Sequence, residues 1–309
     1  MIWINKMILI ITHKTDYTAD YIINILNERK INYYRLNCED IFEKRISIKS
    51  DLIPIINNKS NFKSVWFRRT KLPIVKGVTE YEYKFLMNEY EVFLKNLFCI
   101  IDAKWISDPY SIYKAENKLY QLKLAKKLGF KIPKTLITNC KNELIDFYKK
   151  NSEKIIIKPL SQSIIDIGEN QQEHIFTNIL SQEQIKNLEN FDLTPCIYQE
   201  YIEKDSEFRI TVINKKVFVA EIDSQVEEMS KTDWRKGNLK FYKSSLPEDI
   251  SMKCVQLVKE LNLSFGAIDI IKNIKGEYFF LEINPNGQWV WIENETKLKI
   301  SHELIKQLI

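Results

Sequence analysis

The sequence predicts an α+β protein with an α/β domain at its N-terminus, and three observations carry that reading. The first third alternates short apolar runs with amphipathic stretches, the pattern of an open, partly parallel sheet flanked by helices. The last third holds two apolar runs, Phe265 to Ile271 and Tyr278 to Ile283, joined through Lys275-Gly276 as a hairpin would be. The chain has 309 residues, more than one small core needs, so subdomains are expected over 1–109, 110–200 and 201–309.

Composition narrows the class. Hydrophobic residues make up 45% of the chain and aromatics 12%, enough for a packed interior, so disorder is set aside. The formal net charge of +5 is mixed along the chain, which gives a mild preference for anions such as nucleotides but no polybasic tail for nucleic acid. Cys38, Cys99, Cys140, Cys196 and Cys254 form no C-x-x-C pair and have no matching histidines, so neither disulfides nor zinc are expected and a reducing, cytoplasmic setting fits. The apolar start is broken by Asn5 and Lys6 and lacks a small-residue cleavage site, which makes a poor signal peptide; Met7 is an alternative start. No apolar run reaches the roughly 18 residues of a spanning helix, so no membrane partner is expected. Walker A, G-x-S-x-G and H-E-x-x-H motifs are absent, which removes P-loop, serine-hydrolase and zincin chemistry.

The elements follow in order. Ile8 to Ile11 reads as a buried strand, Thr18 to Lys30 as a helix and Tyr33 to Asn37 as the next strand. The polar loop Thr12 to Asp16 sits at the carboxyl end of the first strand, where open sheets place ligands. It lacks G-x-G-x-x-G, and His13 reads as a polar loop residue without chemistry. Ser64 to Thr70 is a strand ending in Arg68 and Arg69, whose side chains point to opposite faces; a structural salt bridge is the plain alternative to a functional role. Glu80 to Phe98 is a helix with Tyr83, Leu86, Tyr90, Leu94 and Leu97 as its packing face. Trp105 to Pro109 closes the first domain. Ala115 to Ala125 forms an amphipathic helix ended by Gly129. Lys154 to Pro159 is a strand, Gln182 to Glu189 a helix, Val217 to Ile222 another strand, and Lys297 to Ile309 a last helix packing Leu298, Leu304, Ile305 and Leu308.

Chemistry concentrates in three places. In the C-terminal hairpin, Asp269, Glu282 and Asn284 interrupt apolar strands, and together they offer the hard oxygen ligands that magnesium with bound phosphates requires. The alternative is that they are strand-end polar groups satisfied by backbone or water. Lys158 is carried by isoleucines into a buried setting and needs an anionic partner, for which triphosphate oxygens are one candidate. Through Gln199, Glu200, Tyr201 and Ile202 a strand turns and leaves again, as a nucleotide hinge requires. Backbone groups at Glu200 to Ile202 could read adenine, Glu207 the ribose, and Arg209 a phosphate. An ordinary charged hairpin is the alternative.

The stretch GAIDIIKNIKGEYFFLEINPNGQWVW resembles the metal-binding end of ATP-grasp ligases. Its NPNGQWVW tail is similar to the macrocyclases that cross-link ribosomal precursor peptides, the microviridin-type or graspetide synthetases. VWFRRT resembles their pre-ATP-grasp domain, AENKLYQLKLAKKLGFKIPKT the start of the ATP-grasp module, and KPL, QEYIEKDSEFR, DSQ and DWR extend the likeness from the first strand to Trp291. The resemblance implies an α+β ATP-grasp fold with an N-terminal pre-ATP-grasp α/β domain. It implies that Lys118, Lys158 and Arg209 clamp phosphates and that Arg235 lies near the γ-phosphate or the substrate carboxylate. Asp269, Glu282 and Asn284 would hold magnesium, two ions being expected with ATP. A loop from Leu160 to Gly168 would close over the phosphates, although Ser161, Gln162 and Ser163 stand where many relatives have glycine. The implied activity is ATP-dependent macrocyclisation of a precursor peptide. Asp or Glu carboxylates become acyl phosphates that Ser or Thr hydroxyls attack to give ω-esters, with ω-amide formation or a small-molecule carboxylate-amine ligase as the alternative. A homodimer is expected, with the leader of the precursor docking on Gln182 to Asp192 and on Asp223 to Asn238.

Overall fold

The computed structural model describes residues 6–160, 164–168, 171–189, 193–226, 230, 232–237 and 239–309; Ser161, Gln162 and Ser163 lie outside them, as do parts of both expected docking segments. The N-terminal region runs β1 (Met7–Thr12), α1 (Tyr17–Glu28), β2 (Tyr33–Asn37), β3 (Ile46–Ile48), β4 (Pro54–Ile56), β5 (Phe62–Phe67), α2 (Glu80–Ile100) and β6 (Lys104–Ile106). Four strands pair in parallel in the order β2-β1-β5-β6. The unbroken apolar run of β1 follows from its inner place, covered on both faces. Asp16 starts α1 by accepting from the Thr18 and Ala19 amides, and Thr79 with Glu82 forms a capping box at α2. The expected packing face of α2 reaches the core at Leu94 and Leu97, whereas Tyr83 is exposed along with the rest of the first turns of α2. The strand of the paired arginines ends at Phe67, so both lie just beyond it.

The middle of the chain runs α3 (Pro109–Ala115), α4 (Lys118–Lys127), β7 (Thr135–Thr138), α5 (Lys141–Lys150), β8 (Ile155–Lys158), β9 (Ile164–Gly168), β10 (Gln171–His174), β11 (Asn178–Ile179), α6 (Gln182–Lys186) and β12 (Cys196–Glu200). The helix expected from Ala115 breaks at Glu116-Asn117, which makes Lys118 the first residue of α4, and Gly129 at φ 78° stops the chain after it. Strands β11, β8, β12 and β7 form an antiparallel sheet in that order. Its one face packs Ile155 and Tyr198 on Leu144 and Tyr148 of α5. The segment expected as a loop to Gly168 contains β9, which pairs with β10 as a separate hairpin.

The C-terminal region holds β13 (Lys204–Ile213), β14 (Lys216–Ile222), β15 (Phe241–Lys243), α7 (Glu248–Glu260), β16 (Phe265–Asn273), β17 (Tyr278–Asn284), α8 (Val290–Thr296) and α9 (Ile300–Leu308). Its five strands are antiparallel in the order β15-β14-β13-β16-β17. Phe208, Ile210, Ile268, Ile270, Phe280 and Ile283 cover one face together with Ile250, Cys254, Leu257 and Val258 of α7. The last helix expected over Lys297 to Ile309 is α9, which starts at Ile300; α8 precedes it, and Lys297 at φ 58° separates the two. Leu304, Ile305 and Leu308 of α9 share a core with Ile8, Ile10 and Trp66, and Ser64 donates to the Leu308 carbonyl at 2.6 Å, so this helix joins the first sheet to the last. Strands β12 and β13 belong to different sheets, which excludes the ordinary hairpin: residues 201–203 are the link between two layers.

Candidate active site

In the β16–β17 hairpin Asp269 lies opposite Glu282, and Asn284 lies opposite Ala267. Strict alternation would place Phe280 on the same face as Glu282. A register shift between Asp269 and Ile270 pairs Ile270 with Phe280 and leaves Leu281 as the extra residue of a bulge, so Phe280 enters the core while Glu282 and Asn284 stay on the other face. Across the next ladder Arg209 lies opposite Asp269 and Glu207 opposite Ile271. One sheet face therefore presents Glu207, Arg209, Asp269, Glu282 and Asn284 in adjoining positions.

The electrostatics of that face are unbalanced. Arg209 donates through Nη1 to both oxygens of Asp269 at 2.9 Å, while its Nε is buried without an acceptor among the described residues. Asp269 is 7% exposed, and burial pushes its carboxyl up to about 6; Arg209 opposes this and the Glu282 carboxylate adds to it. Two carboxylates facing one another with one guanidinium between strands form a donor set that a divalent cation would relieve, and the Asn284 amide oxygen adds a third hard ligand. No group of three His, Cys, Asp or Glu side chains arranged for a metal occurs among the described residues; the corner has two carboxylates and an amide.

Behind this corner the loop after β17 is tightly fitted. The Asn286 amide donates to Asn284 Oδ1 at 3.1 Å, and the Gly287 amide to the Asn284 carbonyl at 3.2 Å. A Cβ on Gly287 would fall 2.5 Å from Ala267 Cβ and 2.7 Å from Arg209 Nη2. Gly287→Ala is expected to displace Arg209, costing about 1–3 kcal/mol by overpacking and most of the turnover. A melting curve and a nucleotide-hydrolysis assay check this, and unchanged activity would detach Arg209 from the reaction.

The facing sheet supplies cations and a flat apolar floor. Lys158 pairs with Ile197, and Ile156 with Gln199, so these four side chains share the face turned away from α5. Lys158 is half-buried and has no hydrogen bond or ion pair among the described residues; desolvation lowers its ammonium pKa, and Glu282, Lys118, Asp233 and Glu207 are the charges around it. Lys118 donates to the Pro159 carbonyl at 2.9 Å, beside Lys158. Gln199 is 2% exposed and gives its amide to Thr135 Oγ1 at 3.0 Å, but its Oε1 is buried without a donor. Of the expected adenine-reading backbone, the Glu200 amide is taken by the Lys134 carbonyl and the Tyr201 amide by the Lys154 carbonyl, which leaves that of Ile202. Glu200 itself is held by Lys134, and Glu207 by Lys204 at 2.7 Å, a buried pair the sequence reading lacked.

Arg235 pairs with Asp233 through two bonds of 2.8 and 2.6 Å, and Glu282 and Asp269 also act on it, so the plain salt bridge coexists with a place over the acidic corner. Asp233 accepts from the Thr177 amide and Lys236 donates to the Thr177 carbonyl, which ties this turn to the central sheet. The paired arginines differ in burial beyond the end of β5. Arg68 is 2% exposed and bonds Asp16 at 3.2 and 3.3 Å, whereas Arg69 is exposed. His13 is hydrogen-bonded to Thr15, and burial and Lys71 hold its pKa below the usual value, in keeping with a loop residue.

The family model of the RimK-like ATP-grasp domain matches residues 115–308, a span that contains the hinge, the cations and the acidic corner. The chain belongs to the RimK-like ATP-grasp family. ATP-grasp relatives extend the likeness beyond that span. The RiPP-associated ATP-grasp ligase of Chryseobacterium gregarium, solved in complex with ADP and a leader and core peptide, is 29% identical with a TM-score of 0.88, covering 98% of this chain and 96% of that one. The macrocyclase MdnC of Microcystis aeruginosa, bound with precursor peptide MdnA, is 25% identical with a TM-score of 0.87 over 98% of this chain and 99% of that one. A curated relative, the alpha-aminoadipate–LysW ligase LysX of Sulfurisphaera tokodaii, is 22% identical over 70% of this chain and 75% of its own length. The expected ATP-grasp fold and ATP-dependent ligase class are thus borne out.

Proposed function

We propose that this ATP-grasp ligase macrocyclises a ribosomally made precursor peptide, activating Asp or Glu side chains for attack by Ser or Thr hydroxyls and forming ω-ester rings. The observation that carries the reading is the single sheet face of Arg209, Asp269, Glu282 and Asn284 together with Lys158, which feels the Glu282 charge and has no partner among the described residues, in a chain that matches a leader- and core-peptide-bound ligase over nearly its whole length. Among the described residues, Gln199 Oε1 has no donor and no bond is shown from the Ile202 amide, an acceptor and a donor of the kinds that the adenine amino group and ring nitrogen require. Glu207 serves the ribose, and Lys118, Lys158 and Arg209 neutralise phosphate oxygens. Asp269, Glu282 and Asn284 would hold magnesium, two ions in this reading, which would neutralise charge on the transferring phosphoryl group.

The chemistry starts from a carboxylate, a poor electrophile. Its oxygen takes the γ-phosphoryl group of ATP, ADP leaves, and the resulting acyl phosphate has a good leaving group. The hydroxyl oxygen then bonds to the carbonyl carbon, phosphate departs, and the hydroxyl proton passes to solvent or phosphate. Arg235, fixed by Asp233 and acted on by the acidic corner, is the residue set to hold the substrate carboxylate or its phosphate. Holding both peptide groups together in a closed site supplies much of the second step.

Incubation with Mg-ATP and the precursor peptide encoded beside the protein tests this. The expected result is loss of one water per ring with ADP and phosphate formed, and AMP or an unchanged peptide overturns it. Base-labile rings identify esters; stable rings identify the ω-amide alternative. The match to LysX favours a second reading, ligation of an amine to a small or protein-borne carboxylate, which ADP release with such acceptors but not with peptide would establish.

For the leader, α6 and α5 flank a cavity of about 360 Å³ lined by Lys141, Ile145, Ile185, Leu188 and Glu189, the last three within the expected docking segment. Charge reversal at Glu189 and Asp192 is expected to weaken binding of a labelled leader about tenfold; undiminished affinity removes this surface. The exposed Ile74, Tyr81 and Phe85 before and on α2 support the expected homodimer, and a single-chain mass in light scattering refuses it.

A further inference from the structure

The N-terminal domain reaches the active site through two neighbouring arginines with opposite fates. Arg68 is spent on structure: its Nε and Nη2 bond Asp16, its Nη1 bonds the Asn286 carbonyl at 3.4 Å, and its own carbonyl accepts from Asn286 Nδ2 at 3.2 Å. These two contacts with Asn286 seat the end of β5 on the Asn284–Gly287 loop, which itself backs onto Arg209. Arg69 leaves that junction on the other side of the strand direction. It is exposed and makes no hydrogen bond or ion pair among the described residues, and Arg68, Asp16, Glu116 and Arg209 are the charges that act on it. Lys71, donating to Thr15 at 3.2 Å, adds a second cation to the same rim. A guanidinium that has no partner among the described residues and follows directly on the residue holding Asn286 is open to a ligand, and a planar, bidentate donor suits a carboxylate.

We propose that Arg69 receives the side-chain carboxylate of the acceptor peptide at the cleft mouth, making the N-terminal domain a specificity element for acidic core residues. The inference rests on the macrocyclase reading and deepens it. Its prediction is a split between the two substrates. Arg69→Gln should raise the KM for the precursor peptide about tenfold or more, the worth of one charge-assisted pair, with the KM for ATP within about twofold and the melting temperature unmoved. Arg69→Lys should recover part of the loss, since it restores charge without the fork. In a double-mutant cycle, a precursor with the activated Glu changed to Gln should bind wild-type and Arg69→Gln protein equally weakly. An unchanged peptide KM, or parallel losses in peptide KM, ATP KM and stability, overturns the assignment while leaving the macrocyclase reading intact. A wild-type protein that turns over no precursor peptide overturns both, and that outcome is visible before any variant is made.

Discussion

Glu282→Gln is expected to lower turnover at least a hundredfold while the protein still folds, because a cation at the hairpin contributes several kcal/mol to the phosphoryl transition state and each 1.36 kcal/mol is a factor of ten. Asp269→Ala should be equally inactive but less stable, since it removes the only acceptor that Arg209 has among the described residues and strands a buried guanidinium. Asp269→Asn separates the two effects, keeping an oxygen for Arg209 while weakening the ligand set. Retained activity in Glu282→Gln and Asp269→Asn would remove the pair from any metal role. The raised Asp269 pKa adds a pH signature. A carboxyl whose folded-state pKa, about 6, exceeds its unfolded value favours folding while protonated; that contribution is lost as pH climbs from about 4 through about 6. Binding of a divalent cation opposes the loss only where the carboxyl is ionised. The thermal shift on adding Mg-ADP should therefore be larger near pH 7.5 than near pH 5, and equal shifts would speak against Asp269 as a ligand.

The legibility of this site in the sequence follows from what was costly to bury. Asp269 and Glu282 interrupt otherwise apolar strands, so the need of such carboxylates for a partner shows without coordinates, and the hairpin turn with Gly276 at φ 80° was readable from Lys275-Gly276. The bulge at Leu281 was not readable, because alternation alone would have made Phe280 and Glu282 neighbours on one face, and only packing against α7 decides between them. The hinge was half legible. Residues 197–209 have the pattern of two strands and a turn, but membership in one sheet or two depends on partners 40 to 70 residues away, Ile155 to Lys158 for β12 and Phe265 to Asn273 for β13. The Lys204–Glu207 pair escaped notice since the shift between Lys204 and Ser206 breaks the period on which face assignments rest. Helix α7, where no element was expected, has Ile250, Cys254, Leu257 and Val258 at helical spacing. The split before α9 had none, as Lys297 adopts a left-handed conformation that its residue type does not announce.

The second large effect concerns stability and the buried pair of Arg68 and Asp16. Arg68→Ala is expected to destabilise the protein by about 3–5 kcal/mol in urea unfolding, because it leaves a carboxylate uncompensated in the interior. It also removes the Arg68 Nη1 contact to the Asn286 carbonyl, leaving the Asn284–Gly287 loop held to the strand end by the backbone carbonyl of residue 68. Burial alone would raise the Asp16 carboxyl, but Arg68, with the hydroxyl of Thr12 and the amide of Ala19, brings it down to about 2. A depressed carboxyl stabilises the fold above its unfolded pKa and loses that contribution as pH falls from about 4 to about 2, a change of about 2 kcal/mol that Arg68→Ala should largely abolish. Asp16→Asn keeps the cap on α1 while removing the charge, so the double variant Asp16→Asn with Arg68→Met should be clearly more stable than the two single losses added together. Strict additivity would mean that the two side chains do not depend on one another. In that case the junction between the N-terminal sheet and the Asn284–Gly287 loop would rest on α9 and the core it shares with β1 and β5.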